Sequence, residues 1–335
     1  MKKFYVLLLT VILLVSISVV AMAAVDISGN LRVWYKTNVN ANDIGSNDAS
    51  GFEFDRLALK FSDALSDNNG FSSEIRFGYR KDPTPSPLYA DLDNAYYYQK
   101  QLLTTDEFDA GFIAMYFYYN DQYTAITNGS LANKLCPYQN GFADNLDTTP
   151  SKDYGGGAVG IKYGVKFDGF QAAVAVTNAN DGNIKNSTTI NAAEEAARIK
   201  IIPMEGLSIG VGYLNDVTDS ACDSNKYLTV DGMYVFDPFK VFVEYDSETP
   251  NGKSAMGGEY VEGTMKLTDG CSVYIGGTLG CATSGLYQNS SVATDYYNGG
   301  FVFQIAPKSA VQFEYVSYSD FSNGNSFNVR LITNF

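Results

Sequence analysis

The chain has 335 residues, a formal charge of −14, 25 Tyr, 21 Phe and 31 Gly, and no His. The missing histidine excludes Ser-His-Asp and Cys-His catalysis and His-ligated metal sites together. The acidity argues against nucleic acid as a partner, because phosphate binding needs a basic face. No linker, composition shift or helical-period stretch divides the chain, which points to one continuous architecture.

Met1, Lys2 and Lys3 form a short basic head, Phe4 to Val20 is almost wholly apolar, and Ala21-Met22-Ala23 offers a small-x-small cleavage site. Residues 1–23 therefore read as a secretory signal peptide, the alternative being an uncleaved membrane anchor. Losing Lys2 and Lys3 with that segment takes the formal charge from −14 to −16. Beyond residue 24 no apolar run approaches the ~18 to 20 residues a membrane helix needs, so any membrane crossing falls to strands.

Period-two alternation of about 9 to 11 residues, broken by turn chemistry, marks each such strand. Sixteen segments fit: 26–37, 52–63, 71–81, 93–102, 107–118, 158–167, 169–178, 192–202, 206–214, 226–236, 238–246, 257–267, 271–280, 295–305, 310–318 and 325–335. The connections alternate in length. Those after odd-numbered strands are mostly long and polar, with 119–157 the longest. Those after even-numbered strands are mostly brief, such as Asp168, Asp237, Pro203-Met204-Glu205, Thr268-Asp269-Gly270 and Pro307-Lys308-Ser309. A soluble sandwich gives no reason for that alternation, and no fixed repeat supports a solenoid.

Parity sorts the side chains. Ile27, Leu31, Val33 and Tyr35 share one face of the first strand, and Ser28, Asn30, Arg32 and Lys36 the other. The same split sets Leu57, Leu59 and Phe61 against Arg56 and Lys60, Ile75 and Phe77 against Arg76 and Arg80, and Val241, Val243 and Tyr245 against Lys240 and Glu244. The apolar set suits lipid and the polar set an interior. The last segment carries Phe327, Val329, Leu331 and Phe335 on one parity and Asn328, Arg330 and Asn334 on the other. An alternating terminal strand leaves a reactive edge unless it pairs, and pairing last strand with first removes both edges.

These residues resemble the closing strand of bacterial outer-membrane β-barrels, with Thr333 standing where an apolar residue is usual. The fold class that follows is all-β: a transmembrane antiparallel β-barrel of about 16 strands, with long outward loops and short periplasmic turns. The resemblance implies that Phe335, Leu331, Val329 and Phe327 form the signal read by the barrel assembly machinery. Strand number, loop alternation and the terminal Phe together make residues 24–335 similar to the general porins, which are sixteen-stranded, usually trimeric diffusion channels of the Gram-negative outer membrane. The expected function is a water-filled channel for passive diffusion of small hydrophilic solutes and ions, set among outer-membrane lipids as a homotrimer. It would use no cofactor or metal and perform no chemistry. The alternatives are a sugar- or anion-selective porin, or a barrel with an adhesion or structural role.

In the general porins the third outward loop narrows the pore, and residues 119–157 hold the matching position. The Pro-Glu-Phe-Gly-Gly sequence of enterobacterial porin loops is absent from it. Arg32, Lys36, Arg56, Lys60, Arg76, Arg80, Lys100 and Arg330 share inward parity and form a candidate basic pore wall. The resemblance opposes to it the loop carboxylates Asp121, Asp144 and Asp147. Tyr96, Tyr98, Phe54 and Trp34 also read as inward and offer a stacking surface for sugars. Gly78, Gly160, Gly164, Gly210, Gly276 and Gly300 read as inward too, which argues for an open lumen. Cys271 and Cys281 lie at opposite ends of one strand, ~33 Å apart, too far to bond.

Overall fold

A computed structural model describes residues 25–38, 51–78, 89–103, 105–113, 158–178, 193–218, 223–249, 254–279, 296–318 and 325–335. Sixteen strands run through them. The first eight are β1 (Asp26–Asn38), β2 (Gly51–Ser66), β3 (Asn69–Gly78), β4 (Tyr89–Lys100), β5 (Asp106–Ile113), β6 (Ala158–Phe167), β7 (Phe170–Asn178) and β8 (Ala193–Met204). There follow β9 (Leu207–Thr218), β10 (Asp223–Phe236), β11 (Phe239–Thr249), β12 (Met256–Thr268), β13 (Cys271–Leu279), β14 (Tyr296–Ala306), β15 (Ser309–Tyr318) and β16 (Ser326–Asn334). Each pairs antiparallel with its sequence neighbours, and β1 pairs with β16, so the sheet is a closed barrel without free edges. The sixteen predicted strands are all present. The fifth is described only to Ile113, and the remainder of its predicted span lies outside the described residues.

Alternation decides which way each strand faces. Ile161, Val211, Val243, Val261, Ile275 and Leu331 are exposed on the outside, while their chain neighbours turn inward and are more covered. Placing apolar residues outside and polar ones inside inverts the pattern of a soluble protein and is what a barrel bounded by lipid requires. Short turns close the hairpins at one rim. Glu205-Gly206 joins β8 to β9, with Gly206 at φ +79° and Val235 N donating to Gly206 O at 2.8 Å. A side chain there would be strained by the backbone and would also meet Val235 O. Asp168-Gly169, Asp237-Pro238, Asp269-Gly270 and Pro307-Lys308 do the same work, each a residue or so away from the turns read from sequence. At one of them Lys266 Nζ donates to Asp269 Oδ1 at 2.6 Å, and that ammonium holds the Asp269 carboxyl below the usual carboxylate range.

Closure is carried by β1 and β16, whose pairs run from Asn30 with Asn334 to Asn38 with Ser326. Beyond them Gly29 and Phe335 exchange both backbone hydrogen bonds at 3.0 Å. The Phe335 ring lies against Gly29, where an added Cβ would come within 2.7 Å of Cζ. Between β1 and β2 the register shifts after Arg32, pairing Arg32 with Arg56 but Val33 with Phe54. This bulge leaves Asp55 unpaired and changes the phase of the alternation on β2. The simple parity that set Phe54 opposite in face to Leu57 therefore does not carry across Asp55.

Candidate functional site

Several residues of the predicted basic wall come into register along the backbone. Register brings the predicted basic residues together: Arg32 pairs with Arg56, Arg330 pairs with Trp34 two positions further along β1, and Arg76 pairs with Ala58 two positions along β2. Lys60 pairs with Glu74 and Lys36 with Asn328, while Lys100 pairs with Glu107 on β5. Arg80, Asp121, Asp144 and Asp147 lie outside the described residues, as does the whole of 119–157. Cys271 is a free thiol, and the other three cysteines are outside the described set.

Arg330 departs from the picture of an open wall. It faces inward as expected but is only 3% exposed, and its Nη2 donates to Gln312 Oε1 at 2.7 Å. A polar network continues from there across the neighbouring strands. Gln312 Nε2 donates to Tyr274 Oη at 3.5 Å, and Tyr274 Oη and Asn298 Nδ2 each donate to Glu314 Oε2 at 3.0 Å. Glu314 is 0% exposed. Three strands from Glu314, on β12, Glu262 accepts from Tyr260 Oη at 2.8 Å and from Thr264 Oγ1 at 3.3 Å. Buried charges persist only where such partners replace water.

The inward glycines correct an expectation. Gly210, Gly276 and Gly300 do not leave the lumen open; each makes room for a large neighbour lying flat against the wall. A Cβ on Gly276 would come within 2.6 Å of Tyr260 Oη, and one on Gly300 within 2.6 Å of Tyr274 Oη. Gly210 sits beneath an ion pair that bridges β8 and β10, Arg198 Nη1 to Asp231 Oδ2 at 2.6 Å, and its Cβ would lie 2.5 Å from either partner. Gly164 keeps ordinary contacts, at 3.6 Å or more.

A second charged group lies on β4 to β6. Lys162 Nζ is 2.7 Å from Oδ2 of the fully buried Asp109 and 5.9 Å from the centre of the Tyr96 ring. Lys100 Nζ is 5.0 Å from the centre of the Tyr98 ring and 3.9 Å from Glu107 Oε2. Register confirms that Tyr96 and Tyr98 face inward, opposite Ser72 and Gly70. Glu107, Asp109, Arg198, Asp231 and Glu262 are site residues that the sequence reading passed over. Their signal is inward parity within the predicted strands. Among the described residues no cluster of metal-ligating side chains occurs.

No known protein family and no curated protein matches the chain in sequence. Solved structures do match in shape. The chain is similar to the trimer form of OmpT, an outer membrane protein of Vibrio cholerae, at 15% identity and a TM-score of 0.60 over 93% of this chain and 99% of that one. It is likewise similar to a triple mutant of Rhodopseudomonas blastica porin, at 12% identity and a TM-score of 0.61 over 93% of this chain and 100% of that one. A double mutant of the same porin gives 13% and 0.60 over the same shares. Likeness at such identity carries the fold, and the closed sixteen-strand barrel, apolar outside and polar inside, is that of the porin-like outer-membrane barrels.

Proposed function

We propose that the chain forms a porin-type channel through an outer membrane and passes small hydrophilic solutes and ions down their gradients without acting on them chemically. The observation that carries this reading is the division of one closed sheet into an apolar outer face and a charged inner one. Sixteen strands make a ring wider than side chains from the wall can fill. The shapes of the porin-like barrels support the reading, as does the absence of histidine. Residues 1–23 serve in export, Phe335 in recognition by the assembly machinery, and the working unit is a homotrimer, the form of one of the similar structures. Reconstitution into planar bilayers tests it. Stepwise ohmic conductance is expected, and folded barrels that insert without conducting would overturn it.

One observation favours a substrate-selective channel over a general one. From β8 round to β16 much of the inner wall is buried, including Tyr260, Glu262, Gln312 and Glu314. An enclosed wall of fixed hydroxyl, amide and carboxylate groups narrows what can pass. Partition of uncharged polymers of graded size, measured by conductance, separates the two readings.

A further inference from the structure

We propose that the inner wall where β4 meets β5 binds organic ammonium ions, with the face of Tyr98 as platform and Glu107 as counter-charge. Tyr98 stands opposite Gly70 on β3, and a Cβ on Gly70 would lie 2.5 Å from its Oη and 2.8 Å from its Cζ. The ring therefore lies along the wall over the glycine and offers its other face to the interior. The ring already holds an ammonium group, Lys100 Nζ at 5.0 Å from its centre, with Glu107 Oε2 at 3.9 Å from the same nitrogen.

The neighbouring tyrosine shows the same device in a fixed form. Over Tyr96 the ammonium is Lys162, bound at 2.7 Å to the fully buried Asp109. Over Tyr98 the lysine and its carboxylate are 50% and 42% exposed and only loosely paired. An exposed pair at that distance is weakly held, so Lys100 can swing away and yield its place to a free cation. A quaternary ammonium gives up its hydration more readily than a primary one and suits an aromatic face, the arrangement used widely for such ligands. A neutral saccharide brings no charge to replace the lysine beside Glu107. The inference rests on the channel reading for the solute's access but not for its binding.

The test is calorimetric titration of the folded barrel in detergent with tetramethylammonium chloride, against sodium chloride at equal ionic strength, with folding checked by heat-modifiable migration. Tyr98→Phe keeps the aromatic face and should keep the affinity. Tyr98→Leu keeps the cover over Gly70 but loses the π-face, and should weaken binding about fivefold. Glu107→Gln should weaken it as well. Lys100→Met removes the internal competitor and should strengthen binding severalfold, a gain that a purely structural lysine would not produce. Unchanged or weaker binding in Lys100→Met, wild-type binding in Tyr98→Leu, or equal competition by glucose would overturn the proposal. Conductance of the same preparation keeps the two readings apart: a conducting barrel that ignores tetramethylammonium ends this inference alone, and a binding barrel that does not conduct ends only the channel reading.

Discussion

Replacing Phe335 by Ala removes the ring that covers Gly29 at the seam between β16 and β1 while leaving the two 3.0 Å backbone hydrogen bonds in place. Truncating a fully buried Phe costs about 3–5 kcal/mol. Phe335 is 47% exposed, so roughly half of that loss applies, about 2 kcal/mol. Acyl chains, as apolar as the ring, can fill part of the space it leaves, so about 2 kcal/mol is an upper figure. Phe335→Leu, which restores part of the cover, should recover part of the loss. Deleting Ser326–Asn334 and Phe335 is a different order of change. It strips β1 and β15 of their partner and leaves two open edges that cannot persist in lipid, so no folded barrel should form. The assay is urea unfolding of the barrel in lipid vesicles, following the heat-modifiable band. Phe335→Ala within ~0.3 kcal/mol of the parent, an error typical of such comparisons, would show that the ring does nothing for the seam. Any folded barrel from the deletion would refute the closure argument itself.

The remaining predictions concern the two faces and the wall. Val243, 44% exposed on the outside, should tolerate Arg poorly, losing up to ~2–4 kcal/mol near the bilayer midplane, whereas Gly164→Arg should assemble and alter conductance. Arg198→Met leaves Asp231 buried without its cation and should cost ~3–5 kcal/mol in the same unfolding assay, while Arg198→Met with Asp231→Leu should cost distinctly less. A weak cation preference is expected of the channel; Arg56→Gln with Arg76→Gln should increase it, and Arg330→Gln, buried in its bond to Gln312, should change stability and leave the reversal potential unmoved.

Period-two alternation made the barrel legible from the residues alone, since a strand between lipid and an interior must change polarity at every step. Val241, Val243 and Tyr245 could be placed outside and Glu244 inside with no neighbour in view. What a single strand cannot reveal is its register. Gly276 and Gly300 read as open space because a one-dimensional pattern does not say that Tyr260 and Tyr274, on the adjoining strands, lie across them. The bulge at Asp55 was invisible for the same reason, as an extra residue on β2 has meaning only against β1. Arg330 was placed on the right face, but its enclosure by Gln312 depends on β15 and so on register again.

The seam between β1 and β16 also has a consequence for how the barrel is made. Every other pairing joins strands that follow one another along the chain, whereas Asn30 meets Asn334 about 300 positions later. Closing a loop of that length costs only ~3 kcal/mol more entropy than closing a ten-residue hairpin, because the cost rises with the logarithm of length. The penalty falls entirely on one step, and fifteen pairings can form before it is met. Until β16 is in place a partly assembled sheet keeps two unsatisfied edges, whichever strand it has reached. Interruption anywhere between β2 and β15 thus yields the same product, an open ribbon whose edges invite other strands, and the one pairing of β1 with β16 distinguishes a finished barrel from all of them.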